Sequence, residues 1–206
     1  SDSGQRDVSE GSQNINPGET GSFTLSVPKT GGKKGLIALA HEKGVKAMAS
    51  VGGWSMCKHY PEMAADPVKR AKFINDTKIL IAMGFDGIDL DWEYPNNPGM
   101  NIEHYGTQDY TNFAIFIEEL RAAIGPDKLI TSCFSASPSQ LQGFDWPRIQ
   151  RTLNFANIMT YDINGGWSNK AGHNAPLYDY PQAEFQGASL DAVTQALRSM
   201  GVDLSK

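Results

Sequence analysis

Four carboxylates, Asp86, Asp89, Asp91 and Glu93, fall within eight positions of a run that otherwise has the apolar content of a buried strand, Phe85-Asp86-Gly87-Ile88-Asp89-Leu90-Asp91-Trp92-Glu93-Tyr94-Pro95. Strand side chains alternate between faces, so Asp89, Asp91 and Glu93 point one way while Ile88, Leu90 and Trp92 point the other. An unpaired buried carboxylate is costly, and three side by side are costlier. The apolar face therefore packs on a core, and the acidic face opens on a cavity filled by water or ligand. Acids two apart on a strand lie only about 6.5 to 7 Å from one another. In a partly dry site each opposes ionisation of the next, so one of the three is expected to keep its proton at neutral pH. A protonated carboxyl beside ionised neighbours is the arrangement that a general acid needs, and Glu93, where the strand runs out, is the expected acid. The bland alternative is a solvated edge strand; three carboxylates without histidine or thiol make a poor transition-metal set.

Around this run the chain alternates helical and strand patterns. Residues 1–30, rich in Ser, Gly, Gln, Asn and Asp, read as an irregular segment. From Gly35 a helix is expected, with Leu36, Ile37, Leu39 and Ala40 on one face and Gly44 as its stop. Val45 to Val51 reads as a strand ending at Gly52-Gly53-Trp54, followed by a loop. Asp66 and Pro67 open a helix that Gly84 closes. After the acidic strand come a surface loop, a helix from about Thr107 to Gly125-Pro126, and a strand over Leu129 to Ser137. A short helix runs from Asp145-Trp146-Pro147 through Leu153, and a strand covers Phe155 to Asp162. A long Gly-rich loop holds Trp167. The last helix is capped by Ser189 and closed by Gly201.

This order calls for a parallel sheet with right-handed crossovers. An open doubly wound sheet and a (β/α) barrel both fit. The first lacks a Gly-rich dinucleotide or phosphate loop, since Val51-Gly52-Gly53-Trp54 has neither spacing. The second is favoured because polar groups of chemical promise fall at the C-terminal ends of three separate strands. The expected fold class is α/β, a partial (β/α)8 TIM barrel with about four parallel βα units.

The run DGIDLDWEYP resembles the active-site signature of glycoside hydrolase family 18, the retaining chitinases, with Asp86, Asp89, Asp91 and Glu93 at every fixed position of Asp-x-x-Asp-x-Asp-x-Glu. Ser50-Val51-Gly52-Gly53 looks like the end of the third family strand, and Met159-Thr160-Tyr161-Asp162 like the sixth. The resemblance spans about residues 31–206, taken as a partial catalytic domain, and leaves strands one, two, seven and eight unsupplied. A half barrel has two open edges. Such a chain reads as a fragment of a longer enzyme, as a self-paired dimer joined through its sheet edges, or as a shortened form completed by partners.

The resemblance implies an endo-acting chitinase cutting β-1,4-linked N-acetylglucosamine polymers by a retaining, substrate-assisted route. A chitin-binding, non-hydrolytic remnant is the alternative from another class. An enzyme cutting the chitobiose core of N-glycans is a third, against which the Trp92-Glu93-Tyr94-Pro95 context looks more like a chitinase. By resemblance Asp91 orients the acetamido group, Asp89 shares a proton or hydrogen bond with Asp91, Tyr161 bonds the acetamido carbonyl, and Asp162 contacts the same sugar. Trp54 and Trp167 are candidates to stack on pyranose rings. Met159, which shares a face with Tyr161, and Tyr94, which with Pro95 fixes the turn after Glu93, complete the substrate-binding set. Ser50, Gly52 and Gly53 are expected to support the acids rather than touch substrate. Asp86, of opposite parity, is read as a structural acid that caps backbone N–H groups at the strand entrance.

A net charge of −5 argues against a nucleic-acid partner. No apolar run reaches the roughly 18 residues of a membrane span, and no signal-peptide pattern opens the chain. Cys57 and Cys133 are expected as free thiols, one in a loop and one in a strand. The four histidines show no metal-ligand spacing, and no cofactor is implied. An extracellular location follows from the resemblance alone, since the Asn75-Asp76-Thr77 sequon does not fix it.

Overall fold

The computed structural model describes residues 35–206; the segment 1–30 lies outside the described residues. Helix α1 spans Leu36–Glu42, strand β1 Met48–Gly52, α2 Tyr60–Ala65, α3 Pro67–Ala82, β2 Gly87–Asp91 and α4 Gln108–Ile124. Strand β3 spans Leu129–Ser135, α5 Pro138–Leu141, α6 Trp146–Thr152, β4 Phe155–Met159 and α7 Leu190–Ser199. The strands form one sheet in the order β1-β2-β3-β4, parallel throughout. This is the expected set of βα units, laid out as an open arc. None of the described helices is long and apolar enough to cross a membrane.

Local chemistry sets the boundaries. Asp66 caps α3 by accepting from Val68 N and Lys69 N, with Pro67 in the first turn. Asp145 does the same for α6 through Arg148 N, and Ser189 for α7 through Ala192 N. Ile88 and Leu90 are buried on the helix side of β2, and Trp92 lies there with them, its ring stacked on Tyr60 at 5.2 Å. Phe113, Phe134, Phe144 and Trp146 continue this layer by edge and tilted ring contacts. The core thus lies between the sheet and its helices. The other face of the sheet is left to polar and half-exposed groups.

Several expectations are corrected. Residues between Trp54 and Asp66 hold a helix, α2, rather than only a loop, and α5 follows β3. Both are short and start with proline in the first turn. Strand β1 begins at Met48, not Val45, which stands 56% exposed before it. Strand β3 stops at Ser135, because Pro138 draws the chain into α5. Strand β4 stops at Met159: Thr160 N turns back to Ile158 O, and Asp162 has a φ of 56° that no strand residue adopts. In α1, Leu36 and Leu39 face solvent, while Ile37 packs against the core. The sequon is mid-helix in α3, with Thr77 buried and its hydroxyl donating to Phe73 O.

Gly52 closes β1 with φ 115°, and a Cβ there would lie 2.2 Å from the Asp91 carbonyl oxygen. Both the backbone conformation and the space demand glycine. Gly52→Ala is expected to lower unfolding free energy by about 3 kcal/mol, read from urea denaturation; an unchanged midpoint would contradict this packing.

Candidate active site

The four strands end on the same side of the sheet, at Gly52, Asp91, Ser135 and Met159, and the acids gather there. Register explains the assembly, since Ser50 pairs with Asp89 and Asp89 with Thr131 across neighbouring strands. Ser50 Oγ donates to Asp89 Oδ2 at 2.7 Å, and Gly53 N donates to the Asp91 carbonyl at 2.8 Å. Thus Ser50 and Gly53 support the acidic strand, as expected. Asp86 sits at the other end, taking hydrogen bonds from Ala47 N and His41 at 2.7 Å each. Partial burial acts against ionisation there, yet these bonds hold its carboxyl below the usual range. It is remote from the acidic row in parity and in partners.

Cys57, unassigned in the sequence, braces the junction of β1 and β2. Its thiol lies 3.1 Å from Gly53 O and 3.0 Å from Asp91 O, and Glu93 N donates to its sulfur at 3.2 Å. Burial pushes the thiol up to about 12, so it remains a donor. Both cysteines are free, Cys57 in a loop and Cys133 on β3.

Asp91 is half-buried, and its Oδ1 has no hydrogen-bond partner. Burial first, then the charges of Glu93 and Asp89, raise its carboxyl to about 6, against a hydrogen bond from Cys133. Glu93, past the last residue of β2, is also raised, chiefly by burial, while hydrogen bonds with Tyr94 and the Trp54 N–H oppose the shift and the Asp162 charge adds to it. This corrects the expectation that Asp91 and Asp89 hold the proton on Glu93. Burial does most of that, and mutual repulsion bears on Asp91 instead. At about 6, the Asp91 proton is held in mildly acidic solution and largely given up by pH 7.

The periphery is more exposed. Tyr161 projects beyond β4, its ionisation opposed first by burial and then by groups that include Asp91 and Glu93. Asp162 Oδ1 accepts from Asn174 Nδ2 at 2.9 Å. Trp54 is half-exposed and meets Tyr94 at a ring distance of 6.4 Å. Tyr94 also lines a small depression with Trp92, Pro95, Cys133 and Phe134. Met159 ends β4 half-exposed. Trp167 is 63% exposed and covers Gly165 in the long loop. Sequence reasoning missed Thr131, Cys133 and Asn157, all of which reach Asp89. Thr131 and Cys133 share one face of β3 by strand parity, which was the available signal for those two. Among the described residues no group of three or more His, Cys, Asp or Glu is placed to hold a metal ion.

The raised Asp91 carboxyl costs stability. Its folded value of about 6 exceeds the ordinary 3.8, so the folded chain binds more protons between those limits. Stability is then highest below pH 3.8 and falls as pH rises through about 6. Asp91→Asn is expected to raise the Tm at pH 7.5 and to leave it little changed near pH 3.5, as measured by calorimetry. An equal change at both values would contradict the account.

The family model for glycosyl hydrolases family 18 matches residues 14–206. Among curated relatives, a probable chitinase 10 of Drosophila melanogaster is 34% identical over 150 residues, covering 70% of this chain and 6% of the relative. Chitinase A1 of Niallia circulans is 33% identical over 151 residues, covering 69% of this chain and 22% of its own length. Among solved structures, a chitinase of Bacillus thuringiensis superposes with a TM-score of 0.76 at 33% identity, over 83% of this chain and 29% of that one. A chitinase catalytic domain of Ostrinia furnacalis, solved in complex with penta-N-acetylchitooctaose, gives 0.75 at 29% identity, over 82% and 45%. The chain spans less than half the length of each of these four proteins. Its four βα units correspond to part of their α/β barrel.

Proposed function

The chain belongs to glycosyl hydrolases family 18, and from that premise we propose that its acidic row cuts β-1,4 bonds in chitin or chitooligosaccharides, endo-acting and with retention. The observation that carries this reading is the row itself: Asp89 within β2, Asp91 at its end and Glu93 just past it share the parity opposite the buried Ile88, Leu90 and Trp92, and both Asp91 and Glu93 hold their protons above the ordinary range. Enzymes of this family depart from the two-carboxylate scheme by using the substrate's own acetamido group. Glu93 gives its proton to the glycosidic oxygen as the bond from that oxygen to C1 breaks. The acetamido carbonyl oxygen attacks C1 and forms an oxazolinium ion. Asp91, which has an unpaired Oδ1, accepts the acetamido N–H and balances the positive charge. The Tyr161 hydroxyl bonds the attacking carbonyl, and Asp162 contacts the same sugar. Glu93 then takes a proton from the water that opens the intermediate, so the configuration at C1 is kept.

Trp54, Tyr94, Met159 and Trp167 are proposed to line the sugar path, Trp54 and Tyr94 nearest the acid. Among the described residues β1 and β4 each pair with one neighbouring strand, so full activity is expected only where further strands close the barrel, from the same polypeptide, a second copy or a partner. An extracellular site of action fits a polymeric substrate. A second reading, chitin binding without turnover, is favoured by the exposed aromatics on an open half-cleft. The deciding experiment supplies N-acetylated and de-N-acetylated oligosaccharides of one length and measures both binding and products. The proposal expects products only from the N-acetylated chain; equal cleavage of both would overturn substrate assistance, and binding without products would leave the second reading.

A further inference from the structure

Asp109 stands in the first turn of α4 and is only 1% exposed, outside the acidic strand. Its Oδ2 accepts from Asn96 N at 2.9 Å and from Gly106 N at 3.1 Å, and Asp109 N donates back to Gly106 O at 2.9 Å. The exchange with Gly106 is an ordinary helix start, in which an acid of the first turn reaches back to a free N–H. The bond to Asn96 does something else. It crosses 13 residues and ties the chain that has just left Glu93 to the helix beyond the loop.

That loop is folded back on Glu93. A Cβ on Gly99 would lie 2.4 Å from Glu93 O and 2.9 Å from Ile102 Cδ1, so the loop backbone sits directly on the Glu93 carbonyl. Ile102, 3% exposed, anchors the middle of the loop in the core. Asn96 has a φ of 55°, a left-handed conformation that costs free energy and persists where its surroundings hold it. On the other side of Glu93, its N–H donates to Cys57 Sγ at 3.2 Å.

We propose that Asp109 is a positioning residue of the reaction: by holding Asn96 and Gly106 on one oxygen, it clasps the loop against Glu93 and sets where the acid stands beyond β2. The inference rests on the hydrolytic reading above and adds a residue that acts through the chain rather than by exchanging a proton. Burial works against the Asp109 charge, the two N–H donors work for it, and the Glu62 charge works against it, which leaves the carboxyl above the usual range. Its Oδ1 has no hydrogen-bond partner. The clasp therefore needs an acceptor at Oδ2 and not a charge, and an amide oxygen can take both N–H bonds.

The test combines amide hydrogen exchange, read by NMR, with kinetics on wild type, Asp109→Ala, Asp109→Ser and Asp109→Asn. In wild type the N–H groups of Glu93, Asn96 and Gly106 should all be protected. Asp109→Ala should speed exchange at all three by about tenfold or more while β2 and β3 keep their protection. Asp109→Ser, whose oxygen falls one bond short of Oδ2, should do the same and fills more of the space, so it decides the matter if the alanine variant does not fold. Asp109→Asn should leave all three protected. Where the wild type turns over chitooligosaccharide, Asp109→Ala and Asp109→Ser should lower kcat about tenfold with KM nearly unchanged, and Asp109→Asn should keep most of it. Exchange that rises at Gly106 alone would make Asp109 a helix-start residue only and overturn the proposal. So would an unprotected Asn96 in wild type, or a loss of kcat in Asp109→Asn equal to that in Asp109→Ala. Exchange needs no substrate, so a wild type without hydrolysis would sink the functional reading while the hold on Glu93 is still decided.

Discussion

Glu93→Gln is expected to lower turnover of a chitooligosaccharide by about three orders of magnitude, with substrate binding nearly kept. The amide matches the carboxyl in shape but has no proton to give. Glu93 lies just beyond the last residue of β2, its carboxyl raised by burial and still bonded to Tyr94 and the Trp54 N–H. The same contacts hold the amide in place, so the fold and the Tm should change little. The measurement is product release from the wild type and the variant under one protocol. Undiminished turnover would remove Glu93 from the reaction and the functional proposal with it.

Asp91→Asn is expected to cost about 100-fold in kcat and to reshape the pH profile. The wild-type rate should show a limb near pH 6, where the Asp91 carboxyl titrates under burial and the charges of Glu93 and Asp89. The amide orients an acetamido N–H through its oxygen but cannot carry the balancing charge, so the rate falls and that limb disappears. A variant with a lowered rate and an unchanged profile would show that Asp91 acts only by shape.

The acidic row was legible because strand parity is local: Asp89, Asp91 and Glu93 were separated from Ile88, Leu90 and Trp92 by alternation alone, and the burial of the latter three agrees. Helix caps were legible for the same reason, as at Asp66 and Ser189. Helix α2 was not, because six residues beginning Tyr60-Pro61 carry little periodicity, and Tyr60 is held from outside by Trp92 and by Val51 O. The end of β4 was misread because Met159-Thr160-Tyr161-Asp162 keeps an extended-looking pattern, while the left-handed backbone of Asp162 leaves no trace in composition. Asn157 was missed for a different reason. Its place beside Asp89 depends on β4 pairing with β3 and β3 with β2, and no local pattern encodes two registers at once. The cause of the Glu93 shift was misassigned because burial is a property of the whole site, whereas charge spacing can be counted along one strand.

The central claim is that this row breaks a glycosidic bond with help from the substrate's acetamido group, and the anomeric form of the first product tests it most directly. Proton NMR of a chitooligosaccharide, recorded within the first minutes of cleavage and before mutarotation, should show the new reducing end as the β-anomer. A new reducing end that first appears as the α-anomer would contradict the account.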